Sequence, residues 1–260
     1  MLNREVLEKI RQIKPRSIVY LFSGGKDSSL ALLLTRDFVK ELCNEIKCRV
    51  YILYIVLPGN THPLNAYAAA SVMEWHRKRY GFKPLYRCYS FVFQEGVAKW
   101  GLQTGEGRWC YTIFKDRVFR EIERSLPQPQ IHIDGMSPSD SKVRSEKIRS
   151  ELELIERSGG LRYYSWHPLF SLSMSPEEKL ELLKQHEEFR PIVKLYEEFG
   201  DSLNCVLCPY KDMDKLLKHR GIEDLSILYD FLRESLLSSR WRRKFSRLGS
   251  KTLAEYVVRA

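Results

Sequence analysis

Six residues at the end of an apolar run carry the plainest chemistry in the chain: Ser23, Gly24, Gly25, Lys26, Asp27 and Ser28. They follow Ile18-Val19-Tyr20-Leu21-Phe22 and precede Ser29-Leu30-Ala31-Leu32-Leu33-Leu34, so small and polar residues are confined between two apolar stretches. Two glycines allow a tight turn and a close backbone approach to an anion. The hydroxyls of Ser23 and Ser28 can donate to phosphate oxygens, and Lys26 adds a point charge beside a helix start. Asp27 either orients a backbone donor or caps the next helix. An ordinary strand-to-helix turn with a solvated lysine needs no such run, and the spacing is neither the Walker A pattern nor the GxGxxG dinucleotide fingerprint.

Three cysteines form a second candidate. Cys205 and Cys208 have a metal-binding or redox spacing, and Cys110 is a third thiol far upstream. Cys43, Cys48 and Cys88 read as core residues, and six cysteines in 260 residues are too few for a disulfide scaffold. From Tyr210 onward twelve basic residues face seven acidic ones, half of the chain's net charge of +10. Within that segment Arg240, Trp241, Arg242, Arg243, Lys244 and Arg247 could grip phosphates and stack on an unpaired base. The same pattern also describes an amphipathic helix with solvated arginines.

Positioning these groups requires a scaffold, and the chain alternates accordingly. The patterning predicts a helix over 4–13, strands over 17–22 and 49–57, and helices over 28–46 and 64–80. Further strands are expected over 84–90, 130–135 and 161–170, and helices over 176–187 and 191–199. Residues 151–157 read as a charged helical or loop region. This rhythm implies an α/β fold with a doubly wound, mostly parallel sheet, followed by a helical C-terminal extension. The division expected is a nucleotide-binding domain over 1–200 and a basic, cysteine-containing region over 201–260.

Ser23-Gly24-Gly25-Lys26-Asp27-Ser28 resembles, residue for residue, the PP-loop of the adenine nucleotide alpha-hydrolase superfamily, which includes ATP pyrophosphatases, transfer-RNA thiolases and the adenylylsulfate and phosphoadenylylsulfate reductases. The resemblance implies ATP, with Mg²⁺, at the carboxyl edge of a parallel sheet. Asn60-Thr61-His62-Pro63 resembles a family loop near the ribose or adenylyl group, although the acidic residue of that loop is missing. Gly135, Ser141 and Arg144 are similar to a pattern of the reductase branch, with Ser137 in place of its first arginine; Arg144 would clamp a phosphate or transferred anion. Cys110, Cys205 and Cys208 match three of the four cluster ligands of adenylylsulfate reductases, Tyr111 replacing the other.

Three readings of the cysteines stay open: a four-iron four-sulfur cluster with one open iron, zinc with His62 or His167 as fourth ligand, and a redox pair or inert thiols. The function expected is an ATP-dependent adenylating sulfurtransferase. Lys26, Asp27, Cys110 and Arg144 would be its catalytic residues; transfer RNA or another RNA is the candidate substrate, and no motif names the sulfur donor. The alternatives are a sulfonucleotide reductase and a nucleotide-binding module with a structural metal. A homodimer is a family-level expectation. No apolar run is long enough to span a bilayer, which places the protein in the cytoplasm.

Overall fold

A computed structural model describes residues 2–100, 109–138, 142–157 and 159–206. The expected helical extension, Ser141, Cys208 and the basic run at 240–247 lie outside the described residues. Strands β1 (Ser17–Leu21), β2 (Arg49–Val56), β3 (Lys83–Cys88), β4 (Gln130–Ile133), β5 (Leu152–Arg157) and β6 (Leu161–Trp166) form one sheet in the order β3-β2-β1-β4-β6-β5. All neighbours are parallel except β5 and β6. The central strands are buried along nearly their whole length, as parallel strands covered on both faces must be.

Helices α1 (Arg4–Ile13), α2 (Lys26–Ile46), α3 (Pro63–Tyr80) and α4 (Phe93–Trp100) accompany the first half of the sheet. They are followed by α5 (Trp109–Tyr111), a π-helical turn over Thr112–Asp116, α6 (Arg117–Ser125), α7 (Lys142–Lys147), α8 (Pro176–Lys184) and α9 (Arg190–Phe199). The mostly parallel, helix-flanked sheet is the α/β architecture that the alternating pattern implied. Among the described residues no helix is long and apolar enough to cross a membrane.

The chain leaves β1 for β2 and β3 on one side, then returns to β4 on the other side of β1. This reversal is a topological switch point, which opens a crevice beyond the carboxyl ends of β1 and β4. The registers Tyr20↔Ile133 and Leu21↔Leu53 bring the ends of three strands to one rim. Packing fixes α2 below that rim: Leu30, Leu32 and Val39 are fully buried, and Tyr20 donates to or accepts from Thr35 Oγ1 at 2.9 Å.

Two expectations are corrected. Residues 152–157 form an antiparallel edge strand and not a helix or loop, because Gly159 and Gly160, at φ 88° and 75°, turn β5 back along β6. Its alternating Leu152, Leu154 and charged residues suit an edge facing water. Of the cysteines expected in the core, Cys88 is instead exposed, while Cys43 is buried in the core and Cys48 packs against it, the two joined in a disulfide between the end of α2 and the start of β2.

Candidate functional site

The loop after β1 occupies the switch point. Gly24 turns at φ 70°, and a side chain there would meet Asn65 Nδ2 at 2.9 Å, so two reasons require glycine. Gly25 caps α2 from an extended conformation. The serines expected to face phosphate close the loop on itself in this structure. Ser28 Oγ donates to the Gly25 carbonyl at 3.0 Å and accepts from the Ser23 amide at 3.2 Å, while Ser23 Oγ accepts from the Gly25 amide at 3.3 Å. The two hydroxyls lie 3.0 Å apart.

Charge converges on Asp27. Lys26 Nζ donates to Asp27 Oδ2 at 2.8 Å, and Lys179 Nζ, carried by α8, donates to Oδ1 at 2.8 Å. Burial works to raise the Asp27 pKa, but the Lys26 charge and the hydrogen bonds from both lysines outweigh it and hold the carboxyl below its ordinary value. Lys179 is only 4% exposed. A buried ammonium is costly unless anions surround it, and here it stands with a second ammonium at a helix N-terminus.

The β4 turn closes the other side. A Cβ on Gly135 would sit 2.4 Å from the Asp27 carbonyl carbon and 2.5 Å from the Ser28 nitrogen, so only glycine lets the two backbones touch. Asp134, one residue earlier, accepts from the Met136 amide at 2.9 Å and from His167 Nδ1 at 2.8 Å. Burial would lower the His167 pKa; the Asp134 hydrogen bond and charge, with Glu153 and Glu151, raise it instead.

On the β2 side Asn65 is fully buried and ties three segments together. Its Nδ2 donates to the Ser23 carbonyl at 3.3 Å and to Tyr54 Oη at 2.9 Å, and its Oδ1 accepts from the Leu203 amide at 3.0 Å. Asn60 is buried, and its carbonyl accepts from the Val206 amide at 3.0 Å. His62 caps α3, its Nδ1 accepting from the Leu64 amide at 3.2 Å. Above the loop, the Lys26 amide donates to Tyr196 Oη of α9 at 3.0 Å.

The structure thus brings together Ser23, Gly24, Gly25, Lys26, Asp27, Ser28 and Gly135, with Asn60 and His62 in the adjoining β2–α3 loop. Arg144 lies in α7 beyond the β4 turn. Lys179, Tyr196 and Asn65 were not foreseen. The available signal for Lys179 is its position four residues before the buried Leu183 on α8, a lysine on an apolar face.

The three-thiolate centre is corrected. Among the described residues no group of three or more His, Cys, Asp or Glu side chains could hold a metal ion. Cys110 follows Trp109, whose ring packs on Phe93 at 5.3 Å, and lies against the hydrophobic core. Cys205 sits in the segment after α9, between Asn204 and Val206, both docked on the β2–α3 loop. His62 and His167, the candidate fourth zinc ligands, are engaged with Leu64 and Asp134. The iron–sulfur cluster, the zinc alternative and sulfur delivery at this centre find no support among the described residues, with Cys208 lying outside them.

No protein-family model matches the chain. It is 26% identical over 218 residues to an uncharacterized protein of Methanocaldococcus jannaschii, which covers 83% of this chain. The chain spans only 40% of that relative's length. Among solved structures, Candida glabrata FMN adenylyltransferase in complex with FMN and an ATP analogue is 16% identical, with TM-score 0.44, covering 75% of this chain and 57% of its own. The U34-tRNA thiolase NcsA of Methanococcus maripaludis, solved with its four-iron four-sulfur cluster, is 14% identical, with TM-score 0.46, covering 95% of this chain and 80% of its own. With TM-scores below 0.5, neither likeness speaks to substrate or reaction.

Proposed function

We propose that the chain binds an adenine nucleoside triphosphate over residues 23–28 and splits it between the α- and β-phosphates, transferring the adenylyl group to an acceptor. The observation that carries this reading is the convergence of Lys26 and Lys179 on Asp27 at the N-terminus of α2, in the crevice of the switch point. Two ammonium groups held 2.8 Å from one carboxylate are poised to exchange that carboxylate for phosphate oxygens. On departure the pyrophosphate gains negative charge, and fixed cations with helix amides stabilise it more than they stabilise the bound nucleotide. Gly135 and Asn65 would hold the loop in register for this work, and Asn60 and His62 adjoin the place where ribose would extend. Arg144 is assigned to the acceptor side.

Calorimetric titration with ATP, GTP and AMP, together with release of pyrophosphate from ATP, tests the reading. Binding of ATP in preference to GTP and AMP, with pyrophosphate as product, is expected; absence of ATP binding, or release of orthophosphate alone, overturns it. A net charge of +10 favours a polyanionic acceptor, so RNA is the class we assign. Stimulation of pyrophosphate release by bulk transfer RNA is the expected result, and indifference to RNA removes that class.

A further inference from the structure

We propose that the Tyr196 hydroxyl is an internal occupant of the phosphate position, and that nucleotide binds by driving this tyrosine off the loop. The inference rests on the reading of residues 23–28 as a nucleotide loop. The Lys26 amide is among the first donors of α2, aimed along the helix axis to where an anion would sit, and it donates to Tyr196 Oη at 3.0 Å. The same oxygen lies 3.3 Å from the position a Gly25 Cβ would take, so the hydroxyl is lodged over the glycine turn itself. A phosphate oxygen accepting from that amide has to occupy nearly the same point in space. One N–H does not serve two acceptors well, so the tyrosine and the nucleotide exclude each other there.

The tyrosine is held in place by its surroundings. Its ring stands 5.9 Å from Lys26 Nζ, and burial raises the phenol pKa, which keeps the hydroxyl neutral. Beyond α9 the chain is stapled across the rim. The His62 amide donates to the Leu203 carbonyl at 3.0 Å, Thr61 Oγ1 to the Asn204 carbonyl at 2.9 Å, and the Val206 amide to the Asn60 carbonyl at 3.0 Å. A neutral hydroxyl is a weaker acceptor than an ionised phosphate, so the contact delays occupation without preventing it. Tyr196 lies on α9, whose C-terminal end leads into the 200–206 segment, so its hydroxyl couples the loop to the segment ending at Val206, beside the Asn65 bridge from the Ser23 carbonyl to the Leu203 amide.

The test uses the full chain and its Tyr196→Phe variant, which keeps the ring and removes the acceptor. Calorimetric titration with ATP and with inorganic pyrophosphate is expected to show roughly threefold to tenfold tighter binding by the variant, the worth of one released hydrogen bond. Equal or weaker binding by Tyr196→Phe, in a protein that binds ATP, overturns the proposal alone. If neither protein binds ATP or pyrophosphate, the nucleotide reading fails and this inference with it. A second measurement needs no variant: amide hydrogen exchange of residues 196–206 is expected to rise when ATP is added to the wild-type chain. Unchanged or slower exchange in that stretch overturns the displacement.

Discussion

Replacing Gly135 by alanine puts one methyl group where the structure has no room for it. The added carbon would stand 2.4 Å from the Asp27 carbonyl carbon and 2.6 Å from its oxygen. Ordinary carbon contacts lie near ~3.5 Å, so the β4 turn and the first turn of α2 must part by about 1 Å. Neither side holds a flexible side chain that could yield, since every close atom is backbone. Overpacking of this kind costs about 1–3 kcal/mol, and at this chain length each kcal/mol lowers the melting temperature by roughly 2–4 °C. The functional effect is larger than the stability effect, because a displacement of about 1 Å at reacting groups costs on the order of 100-fold in rate. Thermal melts and pyrophosphate release from ATP read the two effects separately. Gly160→Ala serves as the contrast: at φ 75° with nothing within 4 Å, it loses about 1 kcal/mol to backbone strain and leaves turnover unchanged. A Gly135→Ala protein that melts and turns over like wild type would refute the claim that the β4 turn buttresses the loop.

Lys26→Met and Lys179→Met are each expected to weaken ATP binding by roughly 10- to 100-fold while changing AMP binding far less, since both lysines are assigned to the departing phosphates. Equal losses for ATP and AMP in calorimetry would move them away from that role. Burial holds His76 and His132 neutral, with pKa values lowered from 6.5 to about 4 and about 3. Their contribution is complete above pH 6.5 and is lost as pH falls toward those values, at about 1.4 kcal/mol per pH unit for each histidine. Urea midpoints measured from pH 7 down to pH 5 should therefore decline, and His132→Gln should flatten the slope. His167 has the opposite sign: its pKa is raised by Asp134 against the effect of burial. The stability it supplies is full below the ordinary histidine value and disappears as pH rises through the folded value. His167→Gln should remove that alkaline decline, and an unchanged profile would show that the pair with Asp134 contributes nothing.

Much of the scaffold was legible because the parallel strands are short apolar runs with turn residues on either side. Arg49–Val56 and Gln130–Ile133 fall where the patterning put them, and Ser175-Pro176-Glu177-Glu178 begins α8 with the capping box that its residues suggest. The edge strand Leu152–Arg157 was misread because a strand facing water carries charges that also suit a helix. At the site, the loop was legible because its chemistry is contiguous. Lys179, Tyr196 and Asn65 were not, since each acts through a contact with residues 42 or more positions away. The cysteines show the converse failure. The spacing of Cys205 and Cys208, with a resemblance for Cys110, suggested a shared centre, but Cys110 lies against the core, Cys205 in a docked segment and Cys208 outside the described residues, among which no metal-holding group forms.

The rivets along α2 have a mechanical consequence. Asp27 is tied to Lys179 of α8, and nine residues later Arg36, with 8% of its side chain exposed, pairs with Glu188, in the short 3-10 turn Glu187–Phe189 between α8 and α9. Trp75, Tyr80 and Phe189 all stack around that guanidinium, at 5.3–5.9 Å from their ring centres. Two anchor points about 13.5 Å apart on one helix resist both sliding and rolling. The helix that follows residues 23–28 is therefore fixed, and under the proposed displacement of Tyr196 any opening falls to the C-terminal end of α9 with its trailing segment. In such a hinge the work of admitting a ligand is set by how firmly the moving end is latched, leaving the geometry of the fixed helix unchanged from one cycle to the next.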